Sequence, residues 1–329
     1  MGKRMASGSP GKNMKKKDGV PIVLTASASE ISHFDNDSFI AFICTFPYKI
    51  VRPWLSKWFV PSDKEDGTAK FAPYGLRKAE ALLMNEFGDD NVVTVHPYNL
   101  HKFVGKDTKV IGVYSMDPMG LAYVSTTYNS MIATGGEGVN TYEFRQVMDN
   151  PAVRGSDAKV VVGGAGVWQI RDAKAQEKFG VDVLCAGEGE KDLPPLVRKL
   201  LNGEDVPEYV TFDKPDYSTV PVIRNASGYG TVEITRGCGR NCHFCSPTMR
   251  AKYSFPLEHV LKEVDLNAKA GSRMIFVSSE DIFLYKSQPG FKPDRKELVK
   301  LFSAIAKHPG VEWIDLSHAS LAPIIYDPK

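Results

Sequence analysis

Five short apolar runs alternate with helix-length stretches over the first two hundred residues, and this alternation constrains the fold more than any other feature. The runs are Ile22–Thr25, Val92–Val95, Val110–Tyr114, Lys159–Val162 and Val181–Leu184. Each is largely apolar along its length rather than at every second residue. A strand wetted on one face would alternate, whereas a strand apolar on both faces must be covered on both, as in a parallel sheet between helical layers. The intervening segments Tyr74–Phe87, Leu121–Ala133, Thr141–Met148 and Lys191–Leu201 read as the covering helices.

Glycines punctuate the strand ends: Gly163 and Gly164 close the fourth run, and Gly187 and Gly189 follow the fifth. The expected fold is α/β, a doubly wound, Rossmann-like domain over residues 19–201, with its ligand crevice at the carboxyl ends of the strands. Residues 26–72 interrupt the pattern with an aromatic-rich insertion that includes Phe39, Phe42, Phe46, Trp54, Trp58 and Phe59. It reads as a helical or irregular layer with Trp54 and Trp58 on one face at i, i+4 spacing. An apolar entrance for a greasy substrate is the alternative.

Residues 202–230, rich in Pro, Asp, Ser and Gly, read as an interdomain linker. A second series then begins: strand Thr231–Thr235, helix Leu257–Ala270, strand Met274–Val277, helix Arg295–Lys307 and strand Trp313–Leu316. Residues 231–329 are thus expected to form the first part of a (βα) barrel, incomplete because a closed barrel needs several more strands.

The sharpest chemical signal follows the first strand of this second series. Arg236-Gly-Cys-Gly-Arg-Asn-Cys-His-Phe-Cys245 places Cys238, Cys242 and Cys245 in a C-x3-C-x2-C spacing. Five cysteines scattered at random would produce it on the order of once in a thousand sequences. Closely spaced thiolates on one loop are a ligand set for an iron–sulfur cluster, and Gly237 and Gly239 allow the loop a tight path. Three thiolates facing four irons leave one iron open. Zinc with His243 as fourth ligand is the competing reading, disfavoured because zinc ligands usually come from two separated knuckles.

The strand followed by Arg-Gly-Cys-x3-Cys-x-Phe-Cys resembles the signature of radical S-adenosylmethionine (SAM) enzymes. The resemblance implies a [4Fe–4S] cluster on the three cysteines, with SAM chelating the open iron and cleaved reductively to a hydrogen-abstracting radical. It places Phe244 against adenine, and it sets Ser278, Ser279 and Glu280 where the family usually has Gly-Gly-Glu at the methionine end of SAM. Asp315 and His318 would end the third strand at the same mouth. Val160–Gly164, together with the stretch Val183–Glu190, resembles the end of the cobalamin-binding domain that precedes the SAM domain in one subclass. That resemblance implies a corrin beside Gly163, Gly164, Gly187 and Glu188, with Ser115, Met116 and Asp117 at the same edge. The Asp-x-His-x-x-Gly motif that supplies an axial imidazole in many cobalamin proteins is absent; His33 and His96 do not match it.

What the resemblance implies is modification of an unactivated carbon, by methylation or carbon–carbon bond formation, in a cytoplasmic enzyme served by an electron donor such as flavodoxin or ferredoxin. Segments such as Tyr74-Gly-Leu-Arg77 also resemble uncharacterised archaeal members that include relatives of tetraether-lipid ring synthases, so the substrate is expected to be a small molecule or a lipid. A tRNA methylthiotransferase would need further cluster cysteines in the front domain, where only Cys44 and Cys185 remain, both read as small core hydrophobes. A non-catalytic cobalamin or cluster sensor, or a truncated remnant, is the third possibility.

Composition narrows the partners. Basic and acidic residues nearly balance at 41 and 39, which argues against a general nucleic-acid binder. Residues 1–18 are locally basic and read as a disordered tail able to touch a membrane surface peripherally. No apolar run approaches the ~20 residues needed to span a bilayer, and an odd, clustered cysteine count fits a reducing compartment.

Overall fold

The computed structural model describes residues 18–132, 137–243, 245 and 251–326. Two sheets organise them. The first has six parallel strands in the order β2-β1-β3-β4-β5-β6: β1 Ile22–Ala26, β2 Val92–Thr94, β3 Val110–Tyr114, β4 Lys159–Gly163, β5 Val183–Ala186 and β6 Tyr209–Thr211. The second has the order β10-β9-β7-β8, with β7 Val232–Arg236, β8 Tyr253–Ser254, β9 Met274–Ser279 and β10 Trp313–Leu316. In it β7, β9 and β10 are parallel and β8 is antiparallel to β7.

The apolar runs are used on both faces. Val23, Ile111, Val113, Val160, Val162 and Leu184 pack on one side of the first sheet with Phe144, Met148 and Ile170. Their neighbours Ile22, Leu24, Val110, Val161, Val183 and Cys185 pack on the other side with Leu76, Leu83, Leu196 and Leu200. Adjacent residues of one strand therefore enter different cores, which is why alternation is missing from the sequence. The chain runs β1 to β2 on one side, then returns to place β3 on the other. Strand order reverses between β1 and β3, which makes their carboxyl ends a topological switch point.

The mixed α/β architecture, a doubly wound parallel sheet followed by a βα series, is the one expected. The segment read as a linker does more than connect, because Tyr209–Thr211 within it pairs with β5 as the sixth strand. Three residues beside Pro and acidic neighbours carry no periodicity by which to find such a strand. The two-residue β8 escaped the sequence reading for the same reason.

The insertion folds as short helices, including Ser38–Ile43 and Tyr48–Leu55, around Phe34, Cys44, Val51, Leu55, Phe59 and Val139. The two tryptophans do not share a face. Trp58 falls in a 3-10 turn after Leu55, packs on this cluster and donates its Nε1–H to Asp35 at 3.0 Å, while Trp54 is 75% exposed. The change of helical pitch at residue 56 rotates Trp58 away from the position that i, i+4 spacing would give it.

A buried polar junction joins the two sheets. Lys78, on the helix Tyr74–Phe87, donates to Glu263 Oε1 at 2.6 Å, and Tyr74 donates its hydroxyl to Glu263 Oε2 at 2.8 Å. Glu263 lies on the helix Leu257–Lys269 that links β7 to β9. Its Oε1 also accepts from the backbone N–H of Ile223 at 3.0 Å. Among the described residues no helix is long and apolar enough to cross a membrane.

Candidate functional site

The carboxyl ends of β3, β4 and β5 form the floor of the site. After β1, Ser27 caps a short helix whose Glu30 reaches across the switch point. Glu30 Oε1 accepts from the backbone N–H of Met116 at 2.6 Å and from Ser115 Oγ at 3.4 Å, and Oε2 accepts from Ser27 Oγ at 3.1 Å. Burial outweighs these hydrogen bonds and raises the Glu30 carboxyl to a pKa of about 7. Asp117, expected at the same edge, serves the local chain. Its carboxylate accepts from Ala122 N–H at 3.0 Å, Gln169 Nε2 at 2.9 Å and Ser125 Oγ, fixing the start of the helix Tyr123–Ile132.

Two adjacent glycines have different reasons to be glycine. Gly164 has φ +103°, and a Cβ there would stand 2.5 Å from the carbonyl oxygen of Ser115. It is required by the fold itself. A Cβ on Gly163 would meet nothing within 4 Å, because that position faces open space.

The open space is a cavity of about 400 Å³ that runs along one face of the first sheet beneath the helices Tyr74–Phe87 and Leu193–Leu201 and reaches Glu233, Arg236 and Ser278 of the second. Gly163, Gly164, Gly187, Glu188 and Ser278 all line it, so these five expected residues are brought together. Tyr74, Leu82, Tyr114, Leu193, Val197 and Phe212 supply apolar walls. Lys78, Glu188, Glu190, Glu233 and Arg236 make one end charged. Apolar walls with a few convergent polar groups are the usual make-up of a cofactor or ligand pocket. Ser115 and Met116 stand behind the floor rather than on it, joined to the cavity through Gly164 and Glu30.

Arg236 ties this cavity to the cysteine loop. It is the last residue of β7, two positions before Cys238. Its guanidinium donates to Glu190 at 2.5 Å and to both carboxylate oxygens of Glu233 at 2.9 and 2.7 Å, with Glu188 at 3.7 Å. Tyr217 and Phe255 flank it, their ring centroids 5.6 and 5.8 Å from the guanidinium carbon. Burial opposes the charge, but these carboxylates override it and keep Arg236 protonated far above neutrality. The Gly187–Glu190 turn of the front sheet is therefore fastened to the root of the cysteine loop.

The loop turns at left-handed residues, Gly237 (φ 69°), Gly239 (φ 73°) and Asn241 (φ 58°). Cys238 is only 3% exposed, Cys242 and Cys245 are partly exposed, and the Cys245 N–H donates to the carbonyl of Cys242 at 3.1 Å. No cysteine is in a disulfide, and among the described residues no three His, Cys, Asp or Glu side chains are gathered closely enough to hold a metal ion. The loop supplies three thiols from one short segment without having drawn them onto a common centre. Phe244 lies outside the described residues.

At the end of β9 only Ser278 faces the cavity. The Ser279 hydroxyl donates to the Asp281 carbonyl at 3.0 Å, and its backbone N–H donates to Ser317 Oγ at 2.9 Å, so it joins β9 to the turn after β10. Glu280 is part-exposed beside it. Asp315 accepts from the Leu316 N–H at 2.9 Å, and the His318 carbonyl accepts from Ile282 N–H at 3.0 Å with its side chain exposed. His33 and His96 are outside the cavity lining, and burial lowers both imidazoles, to about 4 and about 3.

Sequence reasoning missed Glu30, Tyr74, Lys78, Glu233 and Arg236. Only Arg236 carried a local signal, a charge ending an apolar strand immediately before the glycine-cysteine pair.

No family model matches the chain. It is 27% identical over 167 residues to the ribosomal protein uS12 methylthiotransferase RimO of Cytophaga hutchinsonii, covering 49% of this chain and 34% of that protein. Against the RimO of Sorangium cellulosum it is 36% identical over 174 residues, covering 49% and 34%. Against a tRNA-2-methylthio-N(6)-dimethylallyladenosine synthase of Orientia tsutsugamushi it is 26% identical over 175 residues, covering 48% and 37%. The chain spans about a third of the length of these curated relatives. Among solved structures it is similar to the radical SAM methyltransferase TsrM from Kitasatospora setae, solved with cobalamin and a [4Fe–4S] cluster bound. That match has a TM-score of 0.52 at 16% identity and covers 91% of this chain and 59% of that one. The likeness extends through both sheets and shows the fold.

Proposed function

We propose that this protein is a cobalamin-dependent radical SAM enzyme that modifies an unactivated carbon, by methylation or by carbon–carbon bond formation. One observation carries the reading: Arg236 fastens the root of a C-x3-C-x2-C loop to the Gly187–Glu190 turn of a cavity that both sheets line. A cluster site and a nucleotide-type crevice therefore open at one mouth.

The residues present fit the groups this reading needs. Cys238, Cys242 and Cys245 would hold the cluster, three thiolates on one glycine-hinged loop with no competing disulfide. Ser278 and Glu280 would meet the amino-acid end of SAM. The cavity, open at Gly163 and walled by Tyr114, Leu193, Val197 and Phe212, would take the corrin, without a protein imidazole because no histidine among the described residues lines it. When bound, a reduced cluster supplies the electron that cleaves SAM, and cobalamin carries the methyl group.

The chain's own residues do the rest. The apolar walls lower the polarity around the charged end, which strengthens the ion pairs of Arg236 with Glu190 and Glu233. Glu30 holds a proton near neutrality at the switch point, so the floor beneath the cavity carries less negative charge than its composition implies. The Arg236 ion pairs keep the cysteine loop in one position relative to the cavity.

Methylthiolation is the second reading, favoured by the names of the sequence relatives. Against it stand the remaining cysteines. Cys44 and Cys185 lie buried in separate apolar clusters, with burial pushing Cys185 to about 12 and Cys44 higher still, so they cannot form a second thiolate set. A lipid substrate rests on the aromatic insertion, where Phe42, Ile50 and Trp54 are exposed. An electron donor of the flavodoxin or ferredoxin type belongs to the same proposal.

The test is anaerobic reconstitution with iron, sulfide and hydroxocobalamin, then reduction in the presence of SAM. About four irons per chain, corrin absorption bands and release of 5′-deoxyadenosine or transfer of labelled methyl are expected. Iron uptake without corrin would overturn the reading of the cavity, and cofactor binding without SAM turnover would favour a sensor.

A further inference from the structure

The cysteine loop contains two arginines placed symmetrically about Cys238, and they are anchored differently. The Arg236 guanidinium is surrounded by Glu188, Glu190 and Glu233, which cancel its charge locally. Arg240, between the first two cysteines, has a single carboxylate partner among the described residues and turns its other terminal nitrogen toward sulfur. Its Nη2 donates to Asp281 Oδ2 at 2.8 Å and Ser320 Oγ at 3.2 Å, while Nη1 lies 3.8 Å from Cys238 Sγ, within range of an N–H···S contact.

The anchor is rigid. Asp281 is 1% exposed and is itself held, its Oδ1 accepting from Phe283 N–H at 3.1 Å and Ser320 N–H at 3.3 Å, and its Oδ2 from Ser320 Oγ at 2.5 Å. The ring centroid of Phe291 is 5.4 Å from the guanidinium carbon. A guanidinium held through Nη2 on one side and an aromatic face on another has little freedom to swing away from Cys238. Lys252, which interacts electrostatically with Cys238, adds a second cation just before β8, its ammonium donating to Ser287.

We propose that Arg240 sets the reduction potential of the cluster held by the cysteine loop, through its N–H···S contact to Cys238 with Asp281 fixing the guanidinium. The inference rests on the reading that the three cysteines hold a cluster. Reduction adds one electron to the cluster and breaks no bond. It makes the cluster more negative, and a positive donor against the most buried of its thiolates favours that state, raising the potential. Low solvent access at Cys238 enlarges the effect, because little water is available to screen it. Arg240 is a positioning and tuning residue rather than a catalytic one.

The experiment compares the full chain with Arg240→Gln and Arg240→Lys after anaerobic reconstitution. Iron is counted first, and the cluster is then titrated with titanium(III) citrate while the reduced form is followed by electron paramagnetic resonance. The Gln variant is expected to keep its iron and show an about tenfold lower ratio of reduced to oxidised cluster at a fixed potential, about 59 mV for one electron. The Lys variant, which keeps the charge but not the planar fork, should fall between. An unchanged potential in a fully loaded Gln variant overturns the proposal. So does equal loss of iron from both variants, which would make Arg240 a loop anchor alone. Failure of the unsubstituted chain to bind iron is a different result, visible before any titration, and it overturns the cluster reading together with this one.

Discussion

Replacing Glu30 by glutamine should make the protein more stable at pH 8 than the unsubstituted chain, relative to the difference at pH 5. Burial raises the Glu30 carboxyl from its ordinary 4.5 to about 7, against the lowering effect of the Met116 N–H and Ser27 hydrogen bonds. The native state therefore keeps a proton that the unfolded chain releases near 4.5. Stability from this group is complete below pH 4.5 and is lost as pH rises through about 7. At roughly 1.4 kcal/mol per pH unit, the loss between pH 5 and pH 8 comes to about 2–3 kcal/mol. Glutamine has no proton to lose. Its carbonyl can still accept from Met116, and its amide can donate to Ser27 Oγ, so the substitution preserves the shape of the contact. Urea unfolding followed by circular dichroism at pH 5, 6, 7 and 8 measures the effect, because the difference between the two proteins cancels every other titrating group. Parallel stability profiles, with a constant difference across this range, would refute a buried protonated carboxyl at the switch point.

Lys78→Met leaves Glu263, whose side chain is fully buried, with only His259 at 3.3 Å as a basic partner, and should cost about 3 kcal/mol in thermal or denaturant unfolding. Gly164→Ala forces a Cβ against Ser115 O at positive φ and should cost about 1–3 kcal/mol. Gly163→Leu meets no packed atom at its Cβ and should fold normally, yet fill the cavity and lower corrin uptake on reconstitution. Alanine at Cys238, Cys242 or Cys245 should each bring iron well below about four per chain, whereas alanine at Cys44 or Cys185 should leave the iron count unchanged.

The parts of the fold legible in the sequence were those governed by local periodicity. β3 and the helix Tyr74–Phe87 were readable residue for residue because an uninterrupted apolar run and a 3.6-residue repeat are each written along a continuous segment. Edge strands of two or three residues have no such record, so β6 and β8 came only with the partners they pair with. Trp54 and Trp58 show the limit from the other side: the spacing was read correctly, but a change of pitch between them sent one into a cluster and the other into solvent.

The site divides along the same line. Cysteine spacing and the paired glycines are local, since each is written along one short segment of chain. Sequence spacing marked the thiols and the open floor at Gly163. The charged end of the cavity is built from pairs far apart in the chain, Glu190 with Arg236 and Lys78 with Glu263, separated by 46 and 185 residues. With 41 cations and 39 carboxylates in the chain, nothing local says which will meet. That choice was made by the packing of the two sheets, which brings the turn after β5 against the end of β7, and by burial, which makes an unpaired charge there too costly to keep.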